Sequence, residues 1–212
     1  MKKLVSGVVI SSIFVIMPAL GNLAILRAAQ LWILLALGVL ASVLQPGYNP
    51  FTIARRARDK GTGAQIIWSV YAVQLAAIME AAYLRYPQSV AWDSVAVIAL
   101  IVAAIGLSLR TWAVLTLGRL FTMHIAVEKG HRFVRSGPYA RIRHPSYLGA
   151  FLLYVSTTIF LHAWFSAIAA VLILPLAFLR RIHREECVLK EEFGAEYESY
   201  CAEVKMILPG IW

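Results

Sequence analysis

Charge is scarce in this 212-residue chain: Asp, Glu, Lys and Arg together make up 15% of it, where a soluble domain carries about a quarter. Acid is the scarcer sign, with 11 Asp+Glu against 20 Lys+Arg. Only two cysteines occur, Cys187 and Cys201, and neither sits in a CxxC. That excludes a disulfide scaffold, and both read as free thiols facing a reducing compartment. There is no glycine-rich turn in an alternating strand–helix pattern, so a soluble αβ nucleotide fold is excluded. Internal repeats and low-complexity stretches are also absent. What the chain has in excess is apolar surface: 60% of residues are hydrophobic and the mean hydropathy is +0.73. One soluble core of this size cannot hide that much. A soluble globular protein and a disordered chain are both excluded. The net charge of +9 therefore reads as membrane orientation rather than as a nucleic-acid surface.

Apolar runs long enough to cross about 30 Å of hydrocarbon locate the spans. The first runs from Leu4 to Ile25, behind Met1-Lys2-Lys3. It is too long for a signal-peptide core and no A-x-A site follows, so it is expected to be a retained helix. The second spans Ala28 to Leu44, the third Ala64 to Tyr83 and the fourth Val95 to Leu117. Two shorter runs, Tyr147–Leu161 and Trp164–Leu179, are joined by His162-Ala163 and read as a helical hairpin. The expected class is all-α integral membrane, with five to six transmembrane helices, the last two a hairpin, plus a cytoplasmic C-terminal helix.

The positive charges support this map independently, because span lengths do not use them. All Lys and Arg except Arg27, Arg85 and Arg110 fall at the N-terminus or in segments 46–63, 118–145 and 180–212. With six spans those four segments share one side, which the positive-inside rule makes the cytoplasm. A multi-pass protein with both termini and the active site cytoplasmic is expected, with Arg27 and Arg85 in the short opposite loops.

Polar chemistry concentrates after Leu117, which divides the chain into transmembrane helices at 1–117 and a polar half at 118–212. Residues 118–146 hold His124, His131 and His144 together with Gly118, Gly130, Gly137, Pro138 and Pro145. So irregular a stretch belongs in water or against protein. Residues 180–204 place Cys187, Val188, Phe193, Tyr197, Tyr200, Cys201 and Val204 at helical spacing among dense charge. They read as a helix leaving the membrane at Arg180 and running along its surface, with a break at Gly194. Arg132, Arg135, Arg141 and Arg143 are explained equally by anionic headgroups. His124, Glu128 and His131 match no zinc spacing, so no metal is expected. Arg181 and Glu185 are one helical turn apart and share a face, just beyond the end of a span. Glu80, with Gln74 nearby, is an acid inside a span: either a functional group or a hydrogen-bonded glutamate at the span end.

Residues 131–149, HRFVRSGPYARIRHPSYLG, resemble the core motif of the isoprenylcysteine carboxyl methyltransferase family. That motif is a His, an apolar pair, a Gly-containing turn, a Tyr and then R-H-P-x-Y-x-G. Residues 181–200, RIHREECVLKEEFGAEYESY, resemble its second motif, an Arg, a Glu-Glu pair and F-G-x-x-Y-x-x-Y. The likeness covers about residues 118–212. RHPxY alone is shared with phospholipid methyltransferases; both motifs around a short hairpin are specific to this membrane superfamily.

The resemblance implies S-adenosylmethionine as methyl donor and a lipid-borne, prenylated-type acceptor entering from the bilayer. By the same resemblance His131, Arg132, Phe133 and Val134 wrap the cofactor, and Phe133 replaces a usual Leu. Tyr139, His144, Pro145, Ser146 and Tyr147 contact it, and Glu185 and Glu186 supply the binding acids. His124 is an upstream polar contact. Arg181 faces the acceptor and is the expected catalytic residue.

The chemistry is consistent with these residue types. A carboxylate such as Glu185 can receive an ammonium or ribose hydroxyls. The faces of Tyr139 and Tyr147 attract a sulfonium or stack adenine. Pro145 pushes His144 out of the helical region and turns its ring toward the site. An acceptor carboxylate is already ionised at pH 7, so the enzyme mainly aligns it, with reacting atoms about 3–3.5 Å apart. Arg181 suits a bidentate carboxylate clamp. An amine acceptor would instead need a base and would be repelled by Arg181. The expected function is therefore O-methylation of a lipidic carboxylate. The alternatives are a phospholipid amine N-methyltransferase, an NADPH-dependent membrane reductase and a non-enzymatic membrane scaffold.

Overall fold

The computed structural model describes residues 2–45, 61–121 and 134–207. Among them every regular element is helical. The α-helices are α1 (Lys2–Val15), α2 (Ala29–Leu44), α3 (Thr62–Met79), α4 (Ser94–Leu117), α5 (Pro145–Phe160), α6 (Trp164–Phe193) and α7 (Ala195–Glu203). Three stretches are long and apolar enough to cross a bilayer: Thr62–Leu84, Ser94–Leu117 and Trp164–Phe193. Leu4–Ala19, Ala29–Leu44 and Pro145–Phe160 are apolar but shorter.

The first expected span is not one helix. The α-helix ends at Val15, and short 3₁₀ turns follow at Met17–Ala19 and Leu23–Arg27. Pro18 enters the first of these turns, where its missing N–H and fixed φ end α-helical pairing. Asn22 then leaves the helical region, accepts from Ala24 N and donates to the Ala82 carbonyl at 2.6 Å. The chain thus turns back beside α3 earlier than hydropathy alone indicates.

Lipid-facing and packed stripes alternate at helical spacing. On α4, Ile98, Ile101, Ile105 and Leu115 are exposed while Ala96, Ala99, Ala103 and Leu107 are buried. On α6, Phe165, Ile168, Leu172 and Leu176 face outward, and Ala167, Ala170, Leu174 and Phe178 face inward. α4 crosses α5 at close range, at Gly106 and Gly149. A Cβ at Gly106 would lie 2.6 Å from Leu153 N, and one at Gly149 would lie 2.6 Å from the Gly106 carbonyl oxygen. Only glycine admits that approach, and small residues are what bring membrane helices together.

α3 and α6 run antiparallel and are tied at both ends. At one end Arg181 Nη1 donates to Thr62 Oγ1 at 3.2 Å and Arg180 to Gln65. At the other, the buried Glu80 accepts from Ser166 N, Ser166 Oγ and Phe165 N, and pairs with Arg85 at 2.6 Å. Glu80 is therefore a cap for the N-terminus of α6, satisfying N–H groups that a helix start leaves open. This is the hydrogen-bonded role, with Arg85 as a partner for its charge. Nearby, Asp93 caps α4 through Ala96 N and meets the ring of His162 at 3.1 Å in the α5–α6 turn. At the opposite end of the bundle Arg110 joins Gln45 at the end of α2 to Ser146 at the start of α5, and Arg181 joins α6 to Thr62 at the start of α3.

Candidate active site

Two helix ends and one turn bring the site together. The 3₁₀ turn Gly137–Ala140 carries Tyr139, which is buried against α4 with its hydroxyl 3.4 Å from the Ala113 carbonyl. His144 follows, at φ −125 and ψ 56, outside the helical region as a residue before proline must be. Pro145 opens α5, where a missing N–H costs nothing. Ser146 and Tyr147 complete its first turn. α6 then returns the chain, carrying Arg181, Glu185 and Glu186 on its polar extension.

These side chains meet. Tyr147 donates to Glu185 Oε1 at 2.6 Å, and Arg181 Nε donates to the same oxygen at 2.9 Å. Arg181 is 3% exposed, held between Glu185 and Thr62. His144, also buried, divides its ring: Nε2 is 3.1 Å from Glu186 Oε1 and Nδ1 is 4.0 Å from Glu185 Oε2. The Tyr147 ring stands beside those of His144 and Phe178. Burial pushes the Tyr139 hydroxyl well above its usual range, and the Glu185 carboxylate adds to the shift. Burial would also push the Glu186 carboxyl up, but the His144 hydrogen bond and the Arg143 guanidinium outweigh it, so the group stays below the usual carboxylate range.

Of the residues the motifs single out, Tyr139, His144, Ser146, Tyr147, Arg181, Glu185 and Glu186 converge at this end of the bundle. Val134 is half-buried at the start of the described segment. His124, His131, Arg132 and Phe133 lie outside the described residues. Ser146 turns toward α4, where its hydroxyl and carbonyl oxygens accept from Arg110 Nη1 at 2.9 and 3.0 Å. Gly149 admits α4.

Arg110 is not among the residues the motifs single out. It lies inside a span, and its Nε donates to Gln45 Oε1 at 2.7 Å. A signal was present: an arginine within hydrocarbon is expensive and marks a functional position by default. Arg143, read as a headgroup contact, is instead half-buried and bonded to Glu186. Arg135, exposed on the same segment, donates to the Glu196 carbonyl. Thr62, the partner of Arg181, carries no signal in sequence.

The donor set fits the expected cofactor. Glu185 Oε1 is taken by Tyr147 and Arg181, whereas Oε2 has no hydrogen-bond partner among the described residues. That leaves one carboxylate edge to accept an ammonium or hydroxyl, beside aromatic faces that favour a sulfonium.

Comparison with known proteins agrees with this architecture. The isoprenylcysteine carboxyl methyltransferase family matches residues 96–191. A probable protein-S-isoprenylcysteine O-methyltransferase of Oryza sativa subsp. indica is 36% identical over 130 residues, covering 60% of this chain and 68% of that protein. Protein-S-isoprenylcysteine O-methyltransferase B of Arabidopsis thaliana is 38% identical over 107 residues, 50% of this chain and 54% of that one. The solved structure of a eukaryotic intramembrane Ras methyltransferase, isoprenylcysteine carboxyl methyltransferase, superposes with a TM-score of 0.58. It does so over 85% of this chain and 77% of that one at 23% identity, a likeness of fold. With a relative matched over two thirds of its length and both motifs joined in one site, this chain belongs to the isoprenylcysteine carboxyl methyltransferase family.

Proposed function

We propose that this protein transfers a methyl group from S-adenosylmethionine to the carboxylate of a prenylcysteine-type lipid, at the cytoplasmic face of a membrane. The observation that carries the reading is the single Glu185 carboxylate shared by Tyr147 and Arg181 where α5 and α6 meet. S-adenosylmethionine, when bound, supplies an electrophilic methyl on a sulfonium. Glu185 Oε2, His144 and the faces of Tyr139 and Tyr147 hold it. His124, His131, Arg132, Phe133 and Val134 complete the enclosure by resemblance alone.

An acceptor carboxylate needs alignment and dehydration rather than a base. Arg181 and Arg110 are the cations available to align it. Arg181 already shares Glu185, so it orients an incoming carboxylate while the glutamate holds the guanidinium in place. Arg110 has no carboxylate partner among the described residues. The acceptor's apolar tail stays among helices whose outer faces are lipid-facing, and the excess of Lys and Arg in the sequence segments at this end supports a cytoplasmic side there. Residues 118–212 supply most of the site, and 1–117 adds Arg110 and the Thr62 partner of Arg181 to the membrane helices.

The test is transfer of labelled methyl from S-adenosylmethionine to S-farnesylcysteine by the purified chain in detergent. A base-labile methyl ester is expected. Base-stable label on phosphatidylethanolamine would make it an N-methyltransferase, and binding of NADPH in place of S-adenosylmethionine would make it a reductase.

A further inference from the structure

Arg143 sits where four pieces of chain meet. Its guanidinium donates from Nε to Glu186 Oε1 at 2.9 Å, and from Nη1 to the carbonyls of Cys201 at 3.1 Å and Val204 at 2.8 Å. Its own N–H donates to the Lys205 carbonyl at 2.8 Å, and the next N–H, of His144, donates to the Met206 carbonyl at 3.0 Å. Ile142 and Lys205 form an isolated parallel β-bridge. The chain after α7 therefore runs as a strap beside the turn that delivers His144.

We propose that Arg143 is a positioning residue for the cofactor side of the site: it locks residues 204–207 against the His144 turn and holds Glu186 behind the imidazole. This rests on the cofactor reading, and it separates the two adjacent acids. Glu186 Oε1 accepts from Arg143 and faces His144 Nε2. Its neighbour Glu185 has Oε2 4.0 Å from Nδ1 on the other side of the same ring, without a hydrogen-bond partner among the described residues. Arg143 decides that division, because its fork fixes Glu186 against two carbonyls at the end of α7. Arginine suits this arrangement, since its planar fork serves acceptors on two sides from nitrogens about 2.3 Å apart, whereas an ammonium's three donors radiate from a single atom. Fixing Nε2 against Glu186 also fixes which ring nitrogen turns toward Glu185, as an outer carboxylate does for a ligating histidine.

The experiment uses the full chain in detergent. It measures S-adenosylhomocysteine affinity by calorimetry, separate KM values for S-adenosylmethionine and S-farnesylcysteine, and amide exchange of residues 142–144. Arg143→Ala is expected to weaken S-adenosylhomocysteine and raise the S-adenosylmethionine KM by about tenfold or more. The acceptor KM should change less than about twofold, and the Arg143 and His144 amides should exchange faster. Arg143→Lys, which keeps the Glu186 pair and loses the carbonyl fork, should fall between the two; it also serves if the alanine chain does not fold. Arg141→Ala, exposed on the same turn, should match the wild type. Unchanged S-adenosylhomocysteine affinity in Arg143→Ala, or in Arg143→Lys if only that folds, overturns the proposal, as do equal rises in both KM values. A wild-type chain that binds no S-adenosylhomocysteine overturns the cofactor reading itself, and this inference with it.

Discussion

Tyr147 and Arg181 share one oxygen. The phenol donates to Glu185 Oε1 at 2.6 Å and the guanidinium to the same atom at 2.9 Å. One carboxylate thereby couples the first turn of α5 to the polar extension of α6. A hydrogen bond to a charged acceptor contributes about 2 kcal/mol. Tyr147→Phe keeps the ring against His144 and Phe178 and removes only that bond. S-adenosylhomocysteine affinity is expected to fall severalfold as Glu185 loses its fixed orientation, and the melting temperature in detergent by a few degrees. An unchanged affinity would show that Glu185 does not depend on the phenol.

The same shared oxygen makes Arg181 and Glu185 inseparable. The sequence motifs assign one to the acceptor and the other to the cofactor, which predicts that Arg181→Ala spares cofactor binding. The ion pair argues otherwise, because removing either partner takes away the opposite charge that the other faces in a buried or half-buried setting. A double-mutant cycle with Arg181→Ala and Glu185→Ala, read by S-adenosylhomocysteine affinity, should be non-additive by about 1–3 kcal/mol. Turnover should be lost in all three variants. Additive affinities would restore the separate roles.

Much of this was legible in the sequence where the physics is local. The i, i+4 spacing of Arg181 and Glu185 fixes a shared face whatever surrounds the helix. His144 leaves helical geometry because Pro145 follows it. Gly194 ends α6 with φ +49, a conformation glycine reaches without steric cost. Hidden from sequence were the relationships between distant segments. Thr62 looks like any residue at a helix start, yet it holds Arg181 from 119 positions away. Arg143 looks like one more juxtamembrane cation. Hydropathy misplaces the end of the first helix because apolarity continues through Pro18, and only backbone chemistry stops the helix there.

The crossing of Gly106 and Gly149 leaves no room for a side chain. Each Cβ would meet backbone atoms of the other helix, which cannot yield as a flexible side chain would. Gly149→Val should therefore drive α4 and α5 apart and displace Arg110 from Ser146. The expected loss is about 3 kcal/mol or more, seen as a lower melting temperature and poor recovery of folded protein. Leu148 is the adjacent, half-buried position on the same turn of α5. Leu148→Ala removes volume without forcing the two backbones apart, so it should be tolerated far better. Equal losses in the two variants would mean that the glycine contact is not what sets the crossing.

Glu80 tests whether geometry at one end of the bundle governs chemistry at the other. It caps the first turn of α6 and pairs with Arg85. Arg181 and Thr62 tie the same two helices near the opposite end. Ser166 and Glu185 are 19 residues apart on α6, about 28 Å at 1.5 Å per residue. With both ends tied, α6 cannot slide along α3 without breaking a buried contact. Glu80→Ala removes the far tie and leaves the first N–H groups of α6 unsatisfied, at a cost of about 3 kcal/mol. Glu80→Gln keeps acceptor atoms for Phe165 and Ser166 but loses the charge opposite Arg85, so it should cost less. If α6 then shifts relative to α3, the S-adenosylhomocysteine affinity of Glu80→Ala falls even under conditions where the chain remains folded. A variant that melts earlier but binds with wild-type affinity below its melting point would confine Glu80 to stability.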